Sequence, residues 1–264
     1  MRPSPNIPVL IVFLTLLLHP FPARADYNIV TGRDEPVYIS TEQEVAMGDS
    51  IAKQIEKAYK PAEDEHMQER VELIGKRLAR VCDRKELIYH FKVLDIDDIN
   101  AVSLPGGWVY IFKGLVDKCK DDDELAGVIA HELGHICARH SVKRAQAGSI
   151  ANIAMIAVAI AGGGNAAQAT NLALTSLMAA YSREDEFEAD RRAVIYTKAA
   201  GYDPNALISF MDTMKEAKKF DIRPYSYFRS HPYEGERIGS INRQITGTLD
   251  FNGWINKPID KDKW

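Results

Sequence analysis

The stretch DDDELAGVIAHELGHIC, residues 121–137, is the most informative segment of this 264-residue chain. Its acidic start is typical of a helix N-terminus, where side-chain oxygens accept from free amides and negative charge suits the helix dipole. On a helix, His131 and His135 lie one turn apart on the same face, where two imidazoles can bind one Zn²⁺. Glu132 is turned by about 100° from His131, so it would flank such an ion. The alternative is a helix with two hydrogen-bonded core histidines and a surface glutamate.

The other positions of this predicted helix favour the metal interpretation. An aliphatic stripe excludes the histidines and consists of Leu125, Ile129, Leu133 and Ile136. Small residues surround the histidine side and leave room for a metal and an approaching backbone, namely Gly127, Gly134 and Ala138. Each glycine costs about 1 kcal/mol relative to alanine within a helix, so a purely structural helix would gain from losing both.

A catalytic zinc site uses three protein ligands and keeps one position open for water. The acidic segment EDEFEAD, residues 184–190, offers the missing ligand on a second predicted helix. Glu186 and Asp190 share one face at i,i+4 spacing, so one can bind zinc while the other orients a ligand imidazole. Glu188 is predicted to point away and to form a solvated ion pair with Arg192. The alternative interpretation of the segment is an exposed charged face.

The rest of the chain predicts one α+β domain, mostly helical, with one small β-sheet. Overlapping capping boxes begin a helix at Ser40 or Thr41, and Pro61 ends it. A second helix is predicted over Glu63–Val81. Short aromatic and β-branched runs predict strands over Tyr89–Leu94 and Trp108–Phe112, and everything after residue 121 is predicted to be helix and loop.

Composition restricts the class of protein and its partners. The chain is 46% hydrophobic and 27% charged, which suits a globular domain, and its net charge of −4 gives no electrostatic reason to expect a nucleic-acid partner. Three cysteines are too few for a disulfide framework. Cys82 and Cys119 are candidates for one disulfide in an oxidising compartment. Cys137, on the histidine helix, is predicted to pack in the core.

The N-terminal segment 1–25 has the features of a secretory signal peptide. Arg2 precedes a short apolar run over 8–18, and the segment ends in Ala23-Arg24-Ala25. A buried N-terminal helix is the alternative, which Pro20 and Pro22 disfavour. We therefore expect cleavage after Ala25 and export of a single domain, residues 26–264, to the periplasm of a Gram-negative envelope.

Several blocks of sequence together resemble one family of zinc metallopeptidases. The blocks are NAVSLPGG (100–107), HELGH (131–135), YSREDEFEAD (181–190), GYDP (201–204) and SHP (230–232), the last followed by Arg237. They resemble the family that includes HtpX and the CAAX prenyl proteases, peptidase family M48, and the resemblance extends over about residues 44–238. HtpX-type members carry transmembrane helices, whereas this chain shows no clear span. It is more similar to the soluble exported BepA-like branch, without that branch's helical-repeat domain.

The resemblance implies a zincin-type metallopeptidase domain of the gluzincin kind, with one zinc ion per chain. His131, His135 and Glu186 would bind the zinc, Glu132 would act as the base, and Asp190 would orient a ligand. His231 and Arg237 would reach the site from a late loop and act there as catalytic residues. His231 would then stabilise the transition state or cap the metal. Without the resemblance, His231 reads as a histidine of a surface loop.

The predicted substrate is a polypeptide that binds in extended form. The strand containing Trp108, Val109, Tyr110 and Ile111 is expected to lie at a sheet edge and to add the substrate by β-augmentation. From residue 145 to residue 182 no charged side chain occurs. A buried helical hairpin is favoured for this segment over a lid or a membrane-facing hairpin, so membrane contact through residues 151–180 is not favoured. The oligomeric state is not indicated.

The predicted function is zinc-dependent endoproteolysis of unfolded or misassembled envelope proteins. The alternative is a chaperone-like assembly factor whose zinc site is largely latent as a protease. A third possibility is a zinc hydrolase with a non-peptide substrate, which would have a closed pocket. Other divalent ions also suit nitrogen and oxygen ligands.

Overall fold

The computed structural model describes residues 24–28, 32–147, 180–218 and 226–247. The strands in these ranges are β1 (Arg24–Asn28), β2 (Arg33–Val37), β3 (His90–Leu94), β4 (Ala101–Leu104) and β5 (Trp108–Phe112). The helices are α1 (Thr41–Ala58), α2 (Glu65–Ala79), α3 (Lys113–Lys118), α4 (Asp122–Cys137), α5 (His140–Ala147), α6 (Arg183–Ala200), α7 (Ala206–Lys218), α8 (Ser226–Ser230) and α9 (Glu234–Thr246). The α+β class with mostly helical content is confirmed.

Local sequence signals place the first two helices. The Ser40 hydroxyl accepts from the backbone of Gln43, and the Gln43 side chain accepts from the backbone of Ser40, so the first of the two predicted capping boxes begins α1. The Asp64 carboxylate accepts from the backbone of Met67 and begins α2. The predicted boundaries of α2 were therefore correct to within two residues at each end.

The three-stranded sheet has the order β3-β5-β4, with β5 parallel to β3 and antiparallel to β4. The predicted strands over Tyr89–Leu94 and Trp108–Phe112 are thus confirmed. The sequence pattern did not predict β4, which is only four residues long and contains a serine. It also did not predict the separate two-stranded hairpin of β1 and β2, whose second strand, RDEPV, contains three charged residues and a proline.

The prediction that Trp108, Val109, Tyr110 and Ile111 form an edge strand was wrong. Their strand, β5, is the central one, and both of its edges are already paired with other strands of the chain. All five residues of β5 are buried. An extended substrate has no free backbone groups to pair with there, because β3 and β4 occupy the ladder positions on either side.

Helix α4 lies at the centre of the domain. Every residue from Glu124 to Cys137 is buried, and the helix contacts α2, α6, α7 and β4. The aliphatic stripe predicted from Leu125 to Ile136 does face the core, but other elements cover the remaining faces as well. A helix that is covered on all sides has no solvent to hold its polar side chains, so those side chains must find partners inside the protein.

Glycine lets α4 approach its neighbours closely. A Cβ atom built on Gly134 would lie 2.7 Å from the backbone oxygen of Ala189 in α6. One built on Gly127 would lie 2.9 Å from the backbone nitrogen of Leu207 in α7. The space that these glycines leave is therefore filled by two helix backbones, and Ala189 lies between the two acidic residues of α6 that the sequence predicted to face α4.

A buried carboxylate joins α1 to the end of α4. Nη1 of Arg84 donates to the two oxygens of Glu44 at 2.8 and 2.9 Å, and the backbone of Gly106 donates to one of them at 3.1 Å. Nε of Arg139, just after α4, lies 2.9 Å from the other oxygen. Glu44 thus ties together three separate loops around the sheet and the central helix.

Cys82 and Cys119, the candidates for a disulfide, are not joined to each other. All three cysteines are free and buried. Sγ of Cys82 lies 3.2 Å from the hydroxyl of Tyr89, which in turn lies 3.7 Å from Sγ of Cys137. Cys82 is therefore grouped with Cys137 and not with Cys119. Cys137 packs in the core, as predicted.

Two predictions concern residues that lie partly or wholly outside the described ranges. Most of the predicted signal peptide lies outside the described ranges, and so do residues 148–179 of the uncharged segment. The signal peptide and the buried hairpin therefore remain predictions. The expected cleavage site, after Ala25, falls within β1. Among the described helices, none combines the length and the apolar character needed to cross a membrane.

We predict that Gly134→Ala lowers the free energy of unfolding by about 2 kcal/mol, since the added methyl group overlaps the backbone of α6. Chemical denaturation followed by circular dichroism measures the change. Gly235→Ala is the matched control, because nothing lies within 4 Å of a Cβ at that helical position. It should leave stability unchanged or raise it by up to about 1 kcal/mol. Equal effects at the two positions would show that α4 and α6 do not depend on this close contact.

Candidate metal centre

Three of the predicted ligands converge at one point between α4 and α6. Nε2 of His131 lies 3.0 Å from Nε2 of His135. The carboxylate oxygens of Glu186 lie 3.5 Å from the first imidazole nitrogen and 3.6 Å from the second. All three side chains are buried. The i,i+4 spacing on α4 therefore aligns the imidazoles as predicted, and the close packing of α6 brings the carboxylate to them.

A fourth donor, His231, completes the group. Nδ1 of His231 lies 3.3 Å from Nε2 of His131 and 3.1 Å from Oε1 of Glu186. One donor atom from each of the four residues lies within 4.8 Å of all the others. The backbone amide of His231 donates to Tyr227, and the amide of Tyr227 donates to Ile99, which anchors α8 beside β4. His231 is thus part of the buried site and not of a surface loop.

Asp190 and Arg237 support the same site from one side. Oδ1 of Asp190 lies 2.9 Å from Nδ1 of His131, the nitrogen that faces away from the other donors. The Arg237 guanidinium donates two hydrogen bonds of 2.8 Å to Asp190 and lies 2.8 Å from Glu186. Arg237 reaches the site from helix α9, whereas a late loop was expected. Its contacts hold the two carboxylates in place.

Glu132 is the buried carboxylate that the fold leaves without hydrogen bonds. In the described part of the chain neither of its oxygens has a hydrogen-bond partner, although Nε2 of His231 lies 3.3 Å from one of them. One oxygen of Glu186 is also without a hydrogen bond there, although Nη1 of Arg237 lies 2.8 Å from it. A buried carboxylate without hydrogen bonds, such as Glu132, is costly, which marks this site as built for something other than stability.

The charges at the site favour a divalent cation. Glu132, Glu186 and Asp190 contribute three buried carboxylates and Arg237 one guanidinium. With neutral imidazoles, three negative charges and one positive charge leave a formal charge of −2, which is expensive to bury. A divalent cation would neutralise it. The two imidazoles, His231 and a carboxylate make a nitrogen and oxygen donor set that suits zinc. The residues present therefore fit the ion.

Shifted pKa values reflect the same charges. Burial raises the pKa of Glu186, but Arg237 and His231 outweigh it and hold the pKa well below its usual range. Burial also raises the pKa of Asp190, but Arg237 and His131 outweigh it and lower this pKa below its usual value. Burial and Arg237 lower the pKa of His131, yet Asp190 and Glu186 together raise it to about 9. The negative potential that draws a proton to His131 also attracts a metal cation.

Two further residues contact His135 that the sequence did not assign to the site, Tyr181 and His140. The ring of Tyr181 stacks on the ring of His135 at a centroid distance of 3.8 Å. Nδ1 of His140 lies 2.8 Å from Nδ1 of His135, and Nε2 of His140 lies 3.2 Å from Glu188. The prediction that Glu188 forms an exposed ion pair was wrong in its exposure. Glu188 does pair with Arg192 at 3.0 Å, but both are buried.

The reason for these misses is the burial of α6. A lone helix can present an acidic residue to solvent, whereas the start of α6 packs against the end of α4 and the residues that follow it. His140 is five positions after His135, a spacing that would not place the two side chains on the same face of one continuous helix. Arg139 adopts φ 57° and turns the chain, so that α5 brings His140 back beside His135. For Tyr181 the sequence did contain a signal, because this residue begins the block YSREDEFEAD that resembles the family.

A known protein family and several known proteins share sequence with most of this chain. The sequence profile of Peptidase family M48 matches residues 65–245. The chain is 26% identical over 217 residues to the Beta-barrel assembly-enhancing protease of Escherichia coli (strain K12), which covers 78% of this chain and 44% of that protein. It is 31% identical over 176 residues to the Mitochondrial metalloendopeptidase OMA1 of Schizosaccharomyces pombe, which covers 66% of this chain and 52% of that protein.

A further relative is matched over more of its own length. The Metalloprotease YcaL of Escherichia coli (strain K12) is 32% identical over 181 residues, covering 65% of this chain and 70% of that protein. The chain spans only about half the length of the first two relatives. The family predicted from the sequence blocks is nevertheless confirmed, and the first relative supports the predicted branch. This chain therefore belongs to Peptidase family M48.

Proposed function

We propose that this chain is an exported zinc metalloendopeptidase that hydrolyses peptide bonds of unfolded or misassembled envelope proteins. The observation that carries the proposal is the convergence of four buried donor atoms beside the unpaired carboxylate of Glu132. The signal peptide predicted over residues 1–25 supports export to the periplasm. The name of the relative that enhances β-barrel assembly supports a role in the quality control of envelope proteins.

The chain's own residues have distinct roles in this proposal. His131, His135 and Glu186 would hold one zinc ion, which would supply a Lewis acid for a carbonyl and would lower the pKa of water to about 7. Glu132 accepts the proton of the attacking water and passes it to the leaving amine. Its oxygens are free for this because they have no hydrogen-bond partner in the described part of the chain. Asp190 keeps the ring of His131 oriented.

Arg237 acts on the ligands and not on the substrate. Its guanidinium contacts Asp190, Glu186 and the backbone oxygen of His231. It is fully buried among these groups. We therefore assign it a positioning role, in which the rigid guanidinium holds Glu186, Asp190 and the loop of His231 in place. The sequence had placed it among the catalytic residues.

The substrate is proposed to bind along β4, since β5 is unavailable. Among the described strands β4 pairs only with β5, so it is an edge of the sheet, and it contacts the metal-binding helix α4. Beside its backbone lie two buried polar atoms without hydrogen-bond partners in the described residues, Oγ of Ser103 and Nδ2 of Asn100. An extended polypeptide would pair with this edge mainly through its backbone, which suits unfolded proteins of varied sequence.

One observation favours a second candidate function, a chaperone-like assembly factor with a latent protease site. Nδ1 of His231 lies among the donor atoms of the other three ligands. A catalytic zinc site needs one position for water or substrate. If His231 fills that position, proteolysis requires the loop after α8 to move away, and the chain would bind client strands with little cleavage until then.

We predict that Glu132→Gln abolishes cleavage of an unfolded casein-type substrate, with a loss in kcat/KM of about 10²–10⁴-fold, because the amide cannot accept the proton. Zinc content, measured by atomic emission, and the circular dichroism spectrum should not change. Glu184→Gln, at an exposed position of α6, is the control and should retain full activity. Undiminished cleavage by Glu132→Gln would refute the role of Glu132.

We predict that His231→Ala separates the two candidate functions. For the proposed endopeptidase, in which His231 stabilises the developing oxyanion, kcat should fall by about 10²-fold while zinc remains bound. For the latent assembly factor, the same change should increase cleavage because it opens the coordination position. His66→Ala, at an exposed position in α2, is the control. A variant with unchanged cleavage and zinc content would exclude both roles of His231.

A further inference from the structure

A chain of buried hydrogen bonds begins at His135 and leads away from the metal centre. Nδ1 of His140 lies 2.8 Å from Nδ1 of His135. On the far side of that ring, Nε2 of His140 lies 3.2 Å from Glu188 and 3.4 Å from Asp185. Glu188 in turn accepts from Arg192 at 3.0 Å. His135, His140 and Glu188 are all buried, so water does not compete for these contacts.

The positions of the hydrogens follow from the geometry. Nε2 of His135 faces the other ligands, so it must carry the lone pair if His135 binds a metal. The hydrogen of the neutral ring is then on Nδ1, and the facing nitrogen of His140 must accept it. His140 consequently carries its own hydrogen on Nε2 and donates it to the Glu188 carboxylate. All donors and acceptors match only in this direction.

The series of hydrogen bonds ends at Arg192, which is anchored to a different part of the domain. Arg192 also donates to Asp83, in the loop after α2, and Asp83 accepts from the hydroxyl of Tyr196 at 2.7 Å. Glu188 is therefore held in place by a buried cation. A carboxylate fixed in this way can orient an imidazole more strongly than a solvated one, because charge-assisted hydrogen bonds are stronger in the interior.

The backbone is bent so that this arrangement forms. Helix α4 ends at Cys137, and Arg139 has a φ of 57°, a region that residues other than glycine rarely occupy. Nε of Arg139 lies 2.9 Å from Glu44, and its Nη2 donates to the backbone oxygen of Ile39 at 2.6 Å. These contacts hold the turn, and the turn returns His140 to the back of the His135 ring.

The two zinc-binding histidines of the proposed centre thus have parallel supports. Asp190, braced by Arg237, contacts Nδ1 of His131 directly. Glu188, braced by Arg192, reaches His135 through one more imidazole. The second carboxylate is therefore kept one ring farther from the metal, so it orients the ligand without adding its negative charge next to the ion.

From this geometry we propose that His140 and Glu188 are positioning residues that fix the ring orientation and tautomer of His135, and thereby raise the affinity of the site for zinc. The proposal rests on the metal centre under "Proposed function". It gives His140 and Glu188 no contact with substrate. Partners of this kind that hydrogen-bond to a metal ligand typically change metal affinity by about 10–100-fold when they are lost.

Two substitutions of His140 separate its two hydrogen bonds. Asparagine places an oxygen near the position of Nδ1, which can accept from His135 but does not reach Glu188. Glutamine reaches Glu188 but offers no acceptor to His135. We expect His140→Gln to raise the zinc dissociation constant by about 10–100-fold, and His140→Asn to recover a large part of that loss. Glu188→Gln should weaken zinc binding by roughly tenfold at the same site.

The experiment measures zinc affinity of the mature chain by competition with a chromogenic chelator, with the visible spectrum of the cobalt-substituted protein as a second readout. Circular dichroism confirms that each variant is folded before it is titrated. Matched controls are His66→Gln and Glu184→Gln, which make the same chemical changes at exposed positions of α2 and α6. Both controls should bind zinc like the unmodified chain.

The outcomes distinguish this proposal from the metal centre on which it rests. If the unmodified chain binds zinc and both His140→Gln and Glu188→Gln bind it within twofold, with unchanged cobalt spectra, the positioning role is overturned while the metal centre stands. A loss of thermal stability with unchanged zinc affinity leads to the same conclusion, since it shows a packing role only. If the unmodified chain binds no zinc, both proposals fail.

Discussion

The burial of carboxylates beside histidines is the constraint on which the rest of this structure depends. Glu132, Glu186 and Asp190 lie in the interior with Arg237, and with neutral imidazoles the resulting charge of −2 is costly to bury, so a divalent cation would stabilise it. Burial and Arg237 lower the pKa of His131, but the negative field of Asp190 and Glu186 outweighs them and raises this pKa to about 9. The same field explains why this site should select a doubly charged ion.

Close packing of two helices makes that constraint possible. The carboxylates on α6 reach the imidazoles on α4 only because Gly134 lets the backbone of Ala189 approach. A helix pair separated by ordinary side chains lies about 8–10 Å apart between axes, and short side chains such as aspartate would then fall short of the ring nitrogens. The glycine in the middle of the metal motif therefore has a geometric function of its own, in addition to the two histidines on either side of it.

His231 links several groups of the proposed centre. His231 contacts both Glu132 and Glu186, so a single loop residue touches the proposed base and a proposed ligand at once. Tyr181 stacks on His135 and on the ring of His231. A movement of the loop after α8 would change the contacts of His231 with Glu132, Glu186 and Tyr181 together. The family membership is independent of whether that movement occurs.

The sequence by itself determined the metal motif, the capped helices, the two aromatic strands and the family, because these depend on spacings and contacts between residues close in the chain. Only the tertiary structure decided that Trp108–Phe112 is the central strand, that Glu188 is buried, and that His140 stands behind His135. Strand order and helix burial depend on contacts between distant segments, and a local pattern carries no information about which neighbour will cover a given face.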